Sequence, residues 1–110
     1  MPTAEDFFSI QIRVGTITRA ELFPEARKHS LKLEIDFGPE LGSRRSSAQI
    51  TTHYTPALLI GRQVVGVVNI GERRVAGFSS QVLLLGAMPS ATEVVLLRPD
   101  FPVANGTRIG

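Results

Sequence analysis

Two adjacent arginines and two adjacent serines lie between apolar, strand-like runs in residues 69–86. Arg73 and Arg74 are followed, after four residues, by Ser79 and Ser80. Arginine binds phosphate oxygens through a planar fork, and serine hydroxyls can bond phosphate or ribose without reading a base. The segment is therefore a candidate phosphate-binding loop. The alternative is a solvated hairpin whose polar residues only keep the surface soluble.

A second arginine doublet, Arg44 and Arg45, precedes another serine pair, Ser46 and Ser47. The net charge is only +2, from 12 Lys plus Arg against 10 Asp plus Glu, although the pI is 9.7. The pI overstates the basicity because few groups titrate between neutrality and the arginine range. If the two doublets meet in space, they form a local positive patch on a nearly neutral body.

The sequence does not support catalysis. A nucleophilic serine needs a base and a group that orients the base, and His29 and His53 are the only histidines. The chain has no cysteine, no zinc-binding histidine pair and no carboxylate cluster for calcium. We therefore expect a binding protein rather than an enzyme, with no metal and no cofactor.

The aromatic residues limit how the chain could bind a nucleic acid. Proteins that bind single strands stack bases on aromatic side chains, and Phe78 is the only aromatic residue in the basic segment. We therefore expect contacts with backbone and shape, which suit a folded RNA better than an unstructured strand.

The hydrophobic pattern predicts short strands and small helices. Thr3 and Asp6 form a capping box that begins a helix over residues 3–10. A strand follows from Ile12, with a bulge expected at Gly15. Residues 31–37 alternate strictly between apolar and polar, which predicts a half-buried strand. Further elements are expected at residues 43–51, 55–61 (a helix), 63–69, 81–85 and 94–97.

These elements favour an all-β fold with short helices, in which one domain, residues 1–110, forms a small closed β-barrel of the OB type. Residues 100–110 either turn back on the barrel or dock on a partner. The chain has no apolar run long enough to span a bilayer, so we expect no membrane insertion. The acidic first residues do not resemble a secretory signal, and we expect a cytoplasmic protein.

Several blocks, in order along the chain, resemble the tRNA-binding domain family. That family includes the module appended to methionyl-tRNA synthetases, free-standing tRNA-binding proteins and the export-related CsaA chaperones. The resemblance is closest to the CsaA branch. Its blocks are Ile10–Ile17, Glu21–Ala26, Leu31–Gly38, Ser46–Ile50, Gly61–Val64, Val67–Asn69, Gly77–Phe78 with Ser80, and Asn105–Gly110.

The resemblance implies an OB-fold barrel that dimerises through N- and C-terminal extensions and binds tRNA by shape. For the CsaA branch it also implies binding of unfolded or pre-export polypeptide. Arg74 matches a basic position of the family, and Ser80 matches the serine of its RNA-facing strand. Val82 and Leu83 replace the Gly-Met pair of the appended modules, so that contact is not carried over.

The sequence thus predicts a homodimer that binds tRNA or other structured RNA and acts as an export-related chaperone. The alternative is a chaperone that binds pre-export or unfolded polypeptides, with RNA binding incidental. The candidate RNA-binding residues are Arg44, Arg45, Ser47, Arg73, Arg74 and Ser80. The candidate peptide groove is Ile70, Val75, Phe78 and Leu83, which could instead fill the core; for Phe78 we expect partial exposure.

Overall fold

The computed structural model describes residues 1–110 as a set of short strands with three short helices. The helices are α1 (Ala4–Ser9), α2 (Gly38–Leu41) and α3 (Pro56–Leu59). The strands are β1 (Ile12–Leu22), β2 (Leu31–Asp36), β3 (Ser43–Ala48), β4 (Gln63–Val67), β5 (Arg73–Val75), β6 (Phe78–Ser80), β7 (Leu83–Leu84), β8 (Gly86–Ser90) and β9 (Glu93–Leu96). The predicted all-β class with short helices is confirmed.

Five strands form one antiparallel sheet in the order β3-β2-β1-β4-β7. The 11-residue strand β1 organises it, because its first half pairs with β4 and its second half with β2. The two edge strands approach each other: the amide of Gln81 donates to the carbonyl of Arg45 over 2.8 Å, and Ser46 Oγ donates to the carbonyl of Val82 over 3.0 Å. The sheet is therefore a nearly closed barrel.

The barrel interior is filled from alternate positions. On β2, Leu31, Leu33 and Ile35 are buried while Lys32 and Glu34 point outward, as the alternation predicts. Together with Phe37 they join a core cluster of 11 buried residues. The polar residues of β2 are thereby held on the outer face of the sheet, where they can meet a ligand.

The bulge in β1 lies at Thr18, between Ile17 and Arg19, so the prediction of a bulge at Gly15 was wrong. Gly15 pairs regularly with Val64 on β4. A glycine is needed there because an added Cβ would lie 2.6 Å from Ile35 Cγ2 and 2.8 Å from Phe37 Cδ1. The sequence break at Gly15 thus reflects close packing rather than a strand irregularity.

The C-terminal residues turn back onto the barrel, the first of the two arrangements expected from the sequence. The amide of Val14 donates to the carbonyl of Thr107 over 2.9 Å, and the amide of Ile109 donates to the carbonyl of Ile12 over 2.9 Å. Asn105 Oδ1 accepts a hydrogen bond from Thr16 Oγ1 over 2.7 Å. The tail therefore continues the sheet along the part of β1 that β2 does not cover.

Helix α1 has the predicted capping box, in which Thr3 and Asp6 exchange side-chain-to-backbone hydrogen bonds. None of its residues is buried, and Phe7 and Phe8 are 43% and 51% exposed. It touches the tail where Arg108 Nη2 donates to the carbonyl of Phe8 over 3.0 Å. None of the three helices has the length and apolar character needed to cross a membrane.

Candidate nucleic-acid interface

Strands β5 and β6 form a tight hairpin that carries the second arginine doublet. Arg73 pairs with Ser80 and Arg74 with Ser79, and both arginine side chains are exposed. The two turn residues, Ala76 and Gly77, have φ angles of 47° and 81°. Positive φ at both central residues is the requirement of a type I′ hairpin turn, whose twist matches that of the flanking strands. The hairpin therefore holds its arginines on a defined backbone, with Arg73 on the face of Phe78 and Arg74 on the opposite face.

Both serines of this hairpin are buried. Ser80 Oγ accepts a hydrogen bond from the amide of Ser47 over 3.0 Å, and Ser79 Oγ donates to the carboxylate of Glu72. Ser80 thereby joins the hairpin to the edge of β3, and its hydroxyl is engaged in this junction. The bond brings two predicted RNA-binding residues, Ser47 and Ser80, together.

The two arginines of the first doublet, Arg44 and Arg45, point in different directions. Arg44 is half-buried, and its Nη1 donates to the carbonyl of Val68 over 2.7 Å. Arg45 is exposed, and its guanidinium carbon lies 5.5 Å from the centre of the Phe78 ring. Successive residues of a strand point to opposite faces, so only Arg45 reaches the hairpin. Of the first doublet, Arg45 therefore lies beside the hairpin at Phe78, while Arg44 bonds the loop after β4.

Beside Arg45 the structure forms an aromatic and cationic cluster that the sequence did not reveal. The rings of Phe23 and Phe78 meet edge to face with centroids 5.6 Å apart. Lys32 Nζ lies 5.2 Å from the first centroid and 5.8 Å from the second. Phe23 and Phe78 are far apart in sequence, so their spacing could not predict that the two rings meet. Only the outward direction of Lys32 could be predicted, from the alternation of β2. The half-buried state of Phe78 agrees with the predicted partial exposure.

Charged residues line up across the three strands next to this cluster. Glu34 on β2 lies between Arg19 on β1 and Arg45 on β3, its two cross-strand neighbours. In the adjacent row, Lys32 Nζ lies 3.4 Å from Glu21 Oε1. The rows border an open cleft of about 550 Å³, named here the aromatic cleft. Its lining residues are Thr18, Arg19, Ala20, Glu21, Lys32, Leu33, Glu34, Arg45, Ile60 and Phe78.

The four predicted groove residues lie on several elements. Val75 and Phe78 are cross-strand partners in the hairpin, and Phe78 lines the aromatic cleft. Leu83 is exposed and pairs with Val67 in the main sheet, beside a second, smaller cluster of buried residues. Ile70 is exposed in the loop before β5.

Most lysine and arginine side chains form no ion pair with a carboxylate. The structure contains ion pairs only between Lys32 and Glu21 and between His53 and Glu93, so no arginine has a carboxylate oxygen within 4.0 Å. It contains no group of three or more potential metal ligands. The interface therefore consists of unpaired guanidinium groups, one aromatic pair and outward-facing carboxylates.

The chain is similar to known proteins over nearly its whole length. The family described as "Putative tRNA binding domain" matches residues 12–108. The chain belongs to this tRNA-binding domain family. Methionine--tRNA ligases of Methanococcus aeolicus and Porphyromonas gingivalis are 40% and 35% identical to it over 103 and 105 residues. These matches cover 92% and 96% of this chain but only 15% of each ligase, so the likeness concerns one module of a larger enzyme.

Solved structures of family members confirm the OB-like small barrel. The crystal structure of the chaperone CsaA from Bacillus anthracis is 55% identical, with a TM-score of 0.95 over 100% of this chain and 99% of that one. The CsaA chaperone from Picrophilus torridus is 42% identical, with a TM-score of 0.92 over the whole of both chains. A MetRS-related protein from Pyrococcus horikoshii is 27% identical, with a TM-score of 0.87 over 100% and 98% of the two chains.

Proposed function

We propose that the chain is a cytoplasmic, non-catalytic protein that binds tRNA or another structured RNA through its phosphates and overall shape. The observation that supports this most is the set of exposed arginines without carboxylate partners, Arg45, Arg73 and Arg74, beside the junction of β3 and β6. Guanidinium groups without a carboxylate partner keep most of their donors free for phosphate oxygens; Arg74 uses only Nη1, which donates to the carbonyl of Gly77 over 3.3 Å. Membership of the tRNA-binding domain family points to the same ligand.

The six predicted RNA-binding residues take two roles in this proposal. Arg45, Arg73 and Arg74 contact phosphates directly, because their side chains are exposed. Arg44, Ser47 and Ser80 hold the surface in place through hydrogen bonds to Val68 and to each other, and they contact RNA with the donors that remain. Loss of the first group should weaken binding more than loss of the second.

The test is a double charge reversal, Arg73→Glu with Arg74→Glu, measured by filter binding to bulk tRNA. Binding should be lost at moderate salt while the fold is kept. The affinity for RNA falls as the salt concentration rises. In a plot of log affinity against log salt concentration, each phosphate that the protein neutralises adds about −0.7 to −0.9 to the slope. If both arginines contact phosphate, the reversal should reduce the size of the slope by about 1.4 to 1.8.

The matched control is Arg27→Glu with Lys28→Glu, an equal charge change in the exposed loop between β1 and β2. It should weaken binding much less than the change in the hairpin. Equal losses from both double variants would mean that net charge, and not this surface, determines affinity. Unchanged binding by the hairpin variant at low salt would contradict the proposal.

We further propose that the protein acts as a homodimer joined through its terminal segments. In support, Phe7, Phe8 and Ile10 of the α1 region are exposed, and Arg108 of the tail lies against Phe8. A helix whose apolar residues find no core in its own chain gains by burying them against a second copy. Sedimentation at micromolar concentration should give a dimer, and Phe7→Glu with Phe8→Glu should give a folded monomer. A wild-type monomer at that concentration would contradict this.

A second candidate function is binding of unfolded or pre-export polypeptide, with RNA binding incidental. Two observations favour it: the similarity to structures described as CsaA chaperones, and the apolar side chains of Ile60 and Phe78 in the aromatic cleft. The groove predicted from Ile70, Val75, Phe78 and Leu83 belongs to this candidate. Suppression of client aggregation, followed by light scattering with and without excess tRNA, separates the two functions. Suppression unaffected by tRNA would indicate a separate peptide site.

A further inference from the structure

Glu34 occupies an unusual position in the aromatic cleft. It is half-buried on the outer face of β2, with arginines as cross-strand neighbours on both sides. Its carboxylate nevertheless forms no ion pair and no hydrogen bond within the protein; only its backbone carbonyl is engaged, accepting from Thr18 Oγ1 over 3.1 Å. The carboxylate oxygens are not among the buried atoms that lack a hydrogen-bond partner, so they remain accessible from the open cleft. The carboxylate is therefore available to a ligand that brings N–H groups.

Arg45 and Phe78 form a stacking surface beside this carboxylate. The guanidinium of Arg45 lies over the Phe78 ring, and Arg45 is exposed, so one side of it remains open. Nucleobases that are not paired stack on aromatic rings and on guanidinium planes alike. The cleft, about 550 Å³, lies within the range of roughly 300–1,000 Å³ found for small-molecule sites. A planar nucleobase can therefore stack on this side of the cleft.

The charges of the cleft select among planar ligands. Lys32 is paired there with Glu21, but Arg19 and Arg45 have no carboxylate partner, so a lysine or arginine side chain from a peptide would meet these like charges on either side of Glu34. A neutral base carries no such penalty, and its phosphates would be attracted by the same cations. Guanine has two neighbouring N–H donors on its pairing edge, N1–H and the N2 amino group, which a carboxylate can accept together. Uracil has a single donor between two carbonyl oxygens, which the carboxylate would repel.

We propose that the aromatic cleft holds one unpaired guanine of a bound RNA, stacked on the open side of the Arg45 guanidinium that lies over Phe78, with its N1–H and N2 amino donors bonded to the carboxylate of Glu34. This inference rests on the proposed RNA-binding function and adds a base-reading contact to it. Recognition by backbone and shape then positions the RNA, and the cleft adds a preference for a particular exposed base.

The test compares two RNA hairpins that differ in one unpaired loop residue, guanosine or uridine, by fluorescence anisotropy at one salt concentration. Wild type should bind the guanosine hairpin about tenfold more tightly, since a bidentate base contact is worth between about fivefold and about 150-fold in affinity. A third hairpin, with inosine, lacks the N2 amino group and should bind with intermediate affinity. Equal affinities for the guanosine and uridine hairpins would overturn the proposal.

The variant Glu34→Gln keeps the shape of the side chain and removes the charge. Its preference for guanosine should fall to within about twofold, while it still binds both hairpins, because base discrimination but not the phosphate contacts depends on the carboxylate. Glu40→Gln, in the exposed part of α2, is the control and should keep the wild-type preference. A Glu34→Gln protein that keeps the preference would show that the carboxylate does not read the base.

The outcomes separate this inference from the function on which it rests. If bulk tRNA binds and the hairpins bind equally, the guanine site is wrong and RNA binding stands. If neither hairpin nor bulk tRNA binds, RNA binding itself fails. If a lysine-rich unfolded peptide displaces the guanosine hairpin, and does so less well against Glu34→Gln, the cleft is a peptide site and the proposal is overturned.

Discussion

The amide of Ser47 donates a hydrogen bond to the hydroxyl of Ser80 across 3.0 Å, at a place where β3 and the β5–β6 hairpin share no backbone ladder. Beside it, the backbone amide of Gln81 donates to the carbonyl of Arg45, and Gln81 Oε1 accepts from the backbone amide of Arg45. The barrel is thus closed on this side largely by side chains. The surface proposed to bind RNA is built on that seam, so its stability and its function share residues.

Replacing Ser80 with alanine should lower the free energy of unfolding by about 1–2 kcal/mol, because the part-buried amide of Ser47 loses its acceptor. Denaturant melts measure the loss. Ser43→Ala at the exposed start of β3 is the control and should change stability by less than about 0.5 kcal/mol. If the folded Ser80→Ala protein binds tRNA as tightly as wild type, the hydroxyl serves the junction and makes no RNA contact.

The Gly15→Ala substitution should destabilise the protein by about 1–3 kcal/mol or more, although it adds a single methyl group. The reason is local: the new Cβ would lie within 2.9 Å of three atoms of Ile35 and Phe37, both fully buried. Thermal melts compare it with Gly110→Ala, where nothing lies within 4 Å of the added Cβ. Equal melting temperatures for the two variants would show that β1 can move away from the core without cost.

Ala76→Asn should stabilise the hairpin by about 0.5–1 kcal/mol. Ala76 is the one residue other than glycine with a positive φ, and Asn-Gly is the favoured pair for a type I′ turn. Ala91→Asn, in the turn between β8 and β9, is the matched control, because its φ is not positive. It should change stability by less than about 0.5 kcal/mol. A loss of stability in Ala76→Asn would contradict the turn assignment.

Phe78→Ala should cost about 1–3 kcal/mol, less than the ~3–5 kcal/mol of a fully buried phenylalanine, because the ring is half-buried and packs mainly on Phe23. Phe37→Ala, in the core, sets the upper limit, and Phe101→Ala, 75% exposed, sets the lower limit. If Phe78 belongs to a peptide groove, its variant should also protect an unfolded client less well in light scattering. Undiminished protection would remove Phe78 from that groove.

Local pattern was enough to predict the class of fold, the strands of the main sheet and β9, but not α2, β5, β6 or β8. The alternation of residues 31–37 identified β2 and its inward residues, and Thr3 with Asp6 identified the start of α1. These signals are local, because strand alternation and capping depend on neighbours in sequence. The bulge predicted at Gly15 was wrong because the role of this glycine is set by Ile35 and Phe37, which lie on other elements. A glycine that marks a bulge and a glycine that allows close packing cannot be told apart in the sequence of a strand.

The candidate site was predicted only in part, since it depends on register between distant strands. The arginine doublets were visible in sequence, but whether Arg44 or Arg45 faced the hairpin depended on which face of β3 turned inward. Phe23 was not predicted at all, because nothing near it in sequence reveals that its ring meets Phe78. Pairing of this kind becomes visible only when the barrel is assembled.

The docking of residues 106–109 against β1 has a consequence for synthesis of the chain. Arg13 and the Gly106 carbonyl that it bonds are 93 residues apart, and Ile12 and Val14 take backbone partners from the same late segment. A ribosome therefore releases β1 well before the residues that cover this part of its edge exist. During that interval the nascent chain exposes an apolar strand edge, the feature most prone to aberrant pairing. Folding of this barrel is thus completed only after residues 106–109 have been synthesised, and slow elongation over residues 15–105 would prolong its need for protection.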